Sequence, residues 1–198
     1  MKHFRTLTFF GIASVVLLLT GCAGTNFVRP DSTSLVLGVT TQQDVYQKMG
    51  KPYRTGETSK NGKTFQTASY AYASGGASLY GGVTPARSQG YYFHNGILVG
   101  TEFTSSFMED ATDFDGSKLA QIEKGKTTRE EVIQLLGSGG GNYIYPLINS
   151  PEERADVYLY VQTKGSVFNL KFYNQTLIVT YDQQGIVSNV EYNTQGTK

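Results

Sequence analysis

Two stretches decide how this chain reads: Gly38–Gly50, GVTTQQDVYQKMG, and Gly125–Gly137, GKTTREEVIQLLG. They lie 87 positions apart and agree at six of thirteen positions, the glycines at both ends and both threonines among them. Each copy predicts a short helix. Thr41 and Thr128 stand as N-caps, because a threonine oxygen accepts from the open amides of a first turn. Glu131 follows Thr128 by three residues and completes a capping box, and Asp44 holds the same place after Thr41. Val45 with Met49, and Val132 with Leu136, make one apolar face per helix. Gly50 and Gly137 stop the helices in a backbone conformation open to glycine, with Pro52 reinforcing the first stop. Thr41, Gly50, Thr128 and Gly137 therefore read as structural caps. Leu35 and Ile122 match under the same shift and imply a turn or short helix before each copy, giving two helical hairpins.

After each helix the apolar period changes from helical to alternating. Phe65–Tyr72, Gln89–Phe93 and Ile97–Phe103 read as strands in the first copy. Ala155–Thr163, Phe168–Phe172, Leu177–Tyr181 and Ile186–Tyr192 read as strands in the second. Asn95-Gly96 is a two-residue hairpin signal, and Lys164-Gly165, Asn174-Gln175 and Gln184-Gly185 read as turns. Gly96-Ile97 and Glu102-Phe103 echo Gly185-Ile186 and Glu191-Tyr192. Short hairpin loops favour an antiparallel order. The expected class is α+β: two tandem ααβββ repeats, each a helical hairpin plus an antiparallel sheet, with helices on one sheet face. The first repeat spans 34–107, an acidic linker 108–117, and the second repeat 118–194.

The N-terminus reads as targeting rather than fold. Lys2 and Arg5 precede an apolar run of 11 residues, Phe9–Leu19, which is short of the roughly 20 residues a spanning helix needs. The run ends in Leu19-Thr20-Gly21-Cys22, which resembles the bacterial lipoprotein signal. That resemblance implies cleavage after residue 21, a diacylglyceryl group on the Cys22 sulfur, palmitate-type acyl chains, and a lipidated tether over 22–33. Ala23 in place of an aspartate implies sorting to the outer membrane, facing the periplasm.

Composition narrows the chemistry. Cys22 is the only cysteine, so no disulfide forms within the chain. Once the leader and His3 depart, His94 is the only histidine, which excludes His/Cys zinc sites and Cys–His nucleophile pairs. Lys+Arg number 17 against 16 Asp+Glu, and the leader removes two of the bases, so no electrostatic pull on nucleic acid remains. Gly125-Lys126-Thr127 lacks the phosphate-loop glycine, since Ala120 stands five residues before Gly125. Glu109, Asp110, Asp113 and Asp115 lack the twelve-residue calcium pattern. The expectation is a protein that is not an enzyme, with no metal, no cofactor beyond the covalent lipid, and no small-molecule substrate.

Leu35-x-x-Gly38-x-Thr40-Thr41, Asp44-Val45 and Met49-Gly50-x-Pro52 resemble the signature of the SmpA/OmlA (BamE) lipoprotein family. Ile122-x-x-Gly125-x-Thr127-Thr128, Val132 and Leu136-Gly137 carry it again, with Ser138-Gly139-Gly140-Gly141 in place of the proline. The resemblance implies an accessory subunit of the outer-membrane β-barrel assembly machine. The doubled unit resembles the β-lactamase inhibitor protein fold and implies, alternatively, an inhibitor of a periplasmic enzyme or a part of another envelope secretion or assembly machine. Two places are candidates for partner binding. One is the Gly- and Ser-rich loop Ser74–Gln89, with Leu79, Tyr80 and Val83 at its tip. The other is the pair Tyr158 and Tyr160, expected outward because Val157, Leu159 and Val161 claim the inward face.

Overall fold

The computed structural model describes residues 24–31, 33–166 and 168–198. Both copies of the repeated phrase fold alike, as helices α1 (Gln42–Met49) and α2 (Arg129–Leu136). The Asp44 carboxylate accepts from the Thr41 amide at 2.9 Å, and the Glu131 carboxylate from the Thr128 amide at 2.8 Å. Each threonine accepts in return from the amide three residues on, so both capping boxes are complete. The helices stop at Gly50 (φ 78°, ψ −162°) and Gly137 (φ 81°, ψ −176°), a region essentially reserved for glycine.

The residues ahead of each helix pair with a strand. Gly38 N–H donates to Leu98 O and Leu98 N–H to Thr40 O, both at 2.8 Å; Gly125 N–H donates to Val187 O at 2.8 Å and Val187 N–H to Thr127 O at 2.9 Å. The hydroxyls of Thr40 and Thr127 accept from the amides of Val36 and Glu123, each at 2.8 Å. The phrase thus lays the chain against a strand and then turns it into a helix. This is why Gly96-Ile97 and Gly185-Ile186 recur with it.

Eight strands follow: β1 (Arg54–Lys60), β2 (Lys63–Ala73), β3 (Ala86–His94), β4 (Ile97–Ser105), β5 (Gly141–Tyr143), β6 (Arg154–Ser166), β7 (Asn169–Tyr181) and β8 (Val187–Gly196). They form one curled antiparallel sheet in chain order. The expected class is overturned here: the chain is sheet-dominated with three short helices among the described residues, not tandem ααβββ repeats with helices packed over separate sheets. The cause lies in Ser138-Gly139-Gly140-Gly141. An added Cβ would lie 2.2 Å from Phe103 O at Gly140 and 1.9 Å from Thr101 O at Gly141. Only bare backbone approaches β4 that closely, and it lets β5 pair with β4 through Gly100↔Tyr143 and Thr101↔Asn142. The helical hairpins are also missing. Turns precede α1, and a 3-10 helix, Gly116–Gln121, precedes α2. The expected strands Phe168–Phe172 and Leu177–Tyr181 merge into the single strand β7, which starts at Asn169, because Asn174-Gln175 pairs straight through as ladder residues.

Strand period two divides the core between the two sheet faces. Val45 of α1 packs on Ala68, Tyr70, Tyr91, Phe93 and Leu98. Val132 of α2 packs on Tyr158, Leu177, Val179, Tyr181 and Val187. On the other face Phe65 and Val99 meet Tyr143, Leu147, Ile148, Ala155 and Val157, which joins the two halves.

Candidate functional site

The end of the molecule where the described chain begins, at Gly24, is built from three segments. The first is the chain entering the fold. Cys22 lies outside the described residues, two positions before Gly24 in the sequence. Gly24 bridges Tyr72 along the edge of β2 that β1 leaves open past Ser69. Phe27 meets the Tyr70 ring edge-on, with centroids 6.4 Å apart. Arg29 donates to Gly140 O at 2.8 Å and lies 4.6 Å above the Phe103 ring. Residues 24–29 are therefore laid along the sheet.

The second segment is the connection from β2 to β3, which proves shorter than Ser74–Gln89 because β3 starts at Ala86. It is a strap across β6. Leu79 N–H donates to Ser106 O and Thr84 N–H to Thr163 O, both at 2.9 Å, and Val83 bridges Lys164. Val83 is buried, Leu79 is half-buried, and only Tyr80 of the three tip residues is exposed. Hydrogen bonding to β6 rules out a free apolar tip.

The third segment is the β6–β7 hairpin. Phe168 is 95% exposed, Phe172 62%, Leu170 45% and Val161 39%. Leu170 faces Gly165 and Phe172 faces Thr163 across the ladder, so both lie on the same face as Val161. Lys164 and Lys171 face each other on the opposite side of the ribbon. The sequence reading missed this surface. Its signal is the alternation of Phe168, Leu170 and Phe172, which reads in the sequence simply as a strand.

Tyr158 and Tyr160 are not outward-facing: they are 3% and 0% exposed. The alternation along β6 was read correctly, but both faces are covered here, since Val157 is 0% exposed as well. The tyrosines point to the side bearing α2, and Val157, Leu159 and Val161 point to the other. The phenols have partners that make this burial favourable. Tyr158 donates to Gly137 O at 3.0 Å, and its counterpart Tyr70 donates to Gly50 O at 2.8 Å. A sheet tyrosine thus satisfies the terminal carbonyl of each helix. Burial pushes the phenols of Tyr158 and Tyr160 above their ordinary range, so both remain neutral donors.

A cleft of about 1020 Å³ opens between the halves on the helix-bearing side. Its floor is Asp156, 3% exposed, which accepts from Arg129 Nε at 2.8 Å, Arg129 Nη2 at 2.9 Å and Asn142 Nδ2 at 2.7 Å. These bonds push the Arg129 guanidinium above its ordinary value. Tyr91 and Tyr181 also line the cleft, and their hydroxyls are buried with no partner among the described residues. His94 lies far from it, with Nδ1 3.1 Å from Thr64 O. Among the described residues no three His, Cys, Asp or Glu side chains gather as a metal site, and no helix is long and apolar enough to cross a membrane. In the 108–117 segment Asp110 pairs with Arg87 at 2.9 Å and hydrogen-bonds Ser105, so these acids hold the fold. Comparison of the chain with protein-family models, curated proteins and solved structures finds no match.

Proposed function

We propose that this chain is a non-catalytic, lipid-anchored binding protein at the periplasmic face of the outer membrane, an accessory or scaffold subunit of an envelope protein complex. The observation that carries this reading is the lipobox Leu19-Thr20-Gly21-Cys22 standing two residues ahead of Gly24, where the chain is already hydrogen-bonded into the fold. A lipidated Cys22 would hold the body close to the leaflet rather than on a long leash. The exposed face of the β6–β7 hairpin supports a binding role, because apolar aromatic side chains at a projecting edge suit burial against a partner protein.

The role resembles that of the small lipoprotein of the β-barrel assembly machine. The alternative is an inhibitor-type binder, for which the projecting hairpin would enter an enzyme's groove. Cross-linking in intact cells followed by mass spectrometry separates them. Recovery of barrel-assembly or other large envelope subunits supports the scaffold, and recovery of a single periplasmic enzyme supports the inhibitor. Cys22→Ala tests the anchor: the protein is expected in the soluble periplasm, and retention in the outer-membrane fraction refutes anchoring at Cys22.

A further inference from the structure

Past β8 the chain folds back over the strap, and the ammonium of Lys198 comes to rest among three tyrosines. Nζ lies 5.4 Å from the ring centroid of Tyr80, 5.5 Å from Tyr160 and 5.7 Å from Tyr173. It also lies 2.5 Å from Asp113 Oδ2. The walls come from four separate places in the chain: the strap, β6, β7 and the segment after β4. Three rings around one cation within about 6 Å is the geometry by which proteins recognise ammonium groups.

The walls are held in place without Lys198. Tyr160 is fully buried and donates to Gln162 Oε1 at 3.0 Å. Tyr173 donates to Gln175 Oε1 at 2.9 Å, and Tyr80 donates to Asp113 Oδ2 at 2.5 Å. The Asp113 side chain is 8% exposed, and its Oδ1 is buried with no partner among the described residues. A carboxylate so enclosed is expensive to keep charged unless a cation sits beside it. The Lys198 side chain is 40% exposed, and so is Tyr80, so the mouth of the site is open to water.

We propose that Tyr80, Tyr160, Tyr173 and Asp113 form a receptor for a primary alkylammonium group, with Lys198 as its resident and displaceable occupant. The carboxylate selects a primary over a quaternary ammonium: Oδ2 takes one N–H, and the free Oδ1 is an acceptor for a second. The same chemistry is carried by a lysine side chain on a partner protein and by a free amine. A tethered lysine presents its ammonium at an effective concentration in the millimolar range, so an outside ligand competes against it. The site is independent of the anchor at Cys22.

The test is a titration followed by the Tyr80 and Tyr160 ring resonances, using the full chain and its Lys198→Ala variant. The probes are n-butylammonium, Nα-acetyl-lysine methylamide and tetramethylammonium. Lys198→Ala is expected to bind the primary amines saturably, about tenfold more tightly than the unaltered chain, because the internal competitor is gone. Tighter binding of the lysine amide than of butylammonium assigns the site to a protein-borne lysine, and the reverse assigns it to a free amine. Asp113→Asn in the Lys198→Ala background is expected to weaken binding at least tenfold, and Tyr80→Leu, at an exposed wall, provides a second check that leaves the core intact. Absence of saturable shifts in a folded Lys198→Ala chain, equal affinity with and without Lys198, or preference for tetramethylammonium overturns the assignment.

Discussion

Removing Arg129 tests how α2 is held to the sheet. Its guanidinium forks onto Asp156 through Nε and Nη2 at 2.8 and 2.9 Å, while Asn142 supplies the one other bond to that carboxylate among the described residues. Asp156 is 3% exposed and the Arg129 side chain is 46% exposed. Arg129→Met keeps the aliphatic stem and leaves an enclosed carboxylate with one donor. Stripping one partner from a buried pair costs about 3–5 kcal/mol, and the wet side of Arg129 places this case at the lower end, about 3 kcal/mol. For a chain of this size that lowers the melting temperature by roughly 6–12 °C. Asp156→Asn removes the charge instead and leaves Arg129 able to reach water, so it is expected to cost less, about 1–2 kcal/mol. The double variant should be less destabilised than the sum of the two, with a coupling of at least about 1 kcal/mol. Thermal and urea unfolding followed by circular dichroism reads all three. An Arg129→Met loss below about 1 kcal/mol, the level of an exposed ion pair, would refute the argument.

Gly141→Ala drives a Cβ to 1.9 Å from Thr101 O and is expected to destabilise by at least about 3 kcal/mol, read by urea unfolding; near-wild-type stability would mean β5 does not lie against β4. Gly137→Ala meets nothing within 4 Å, so its expected cost of about 1–3 kcal/mol is backbone strain alone, and a neutral result removes the positive-φ stop. Burial raises Tyr70 to about 12 and lifts Tyr91, Tyr92, Tyr143, Tyr158, Tyr160 and Tyr181 further from the usual 10. The folded state therefore holds those protons more tightly than the unfolded chain, and stability falls as pH rises from about 10 through 12 and beyond. Tyrosinate absorbance of these groups should appear together with unfolding, and their titration in a still-folded chain would contradict the burial. Phe168→Asp with Phe172→Asp is expected to change stability by under about 1 kcal/mol while lowering the yield of in-cell cross-links; unchanged yield removes the hairpin from the binding surface.

Local chemistry was legible in the sequence. The capping residues Thr41, Asp44, Thr128 and Glu131, the glycine stops and the Asn95-Gly96 turn are written in single residues, and each takes the geometry its chemistry demands. What pairs with what across the chain was not legible. The seam between β4 and β5 rests on backbone approach at Gly140 and Gly141, which leaves no side-chain pattern to read. The strand β1, RTGETSK, carries no apolar alternation because it is an exposed edge strand. The direction of Tyr158 and Tyr160 failed for a related reason. Alternation reports that two faces differ, but not which lies under a helix when both are buried. The cage around Lys198 joins positions 80, 113, 160, 173 and 198, and no local motif announces it.

The core cluster shared by both halves bears on how the chain is made. Phe65 and Val99 share their core cluster with Tyr143, Leu147, Ile148, Ala155 and Val157, all of which come from the second half. A chain emerging from its N-terminus therefore completes β4 with one sheet face still lacking its apolar cover. That face stays open until Tyr143 to Val157 have appeared, 38 to 52 residues after the end of β4. The first half is in this respect an unfinished template rather than a domain, and during synthesis it is the stretch most in need of a chaperone's protection.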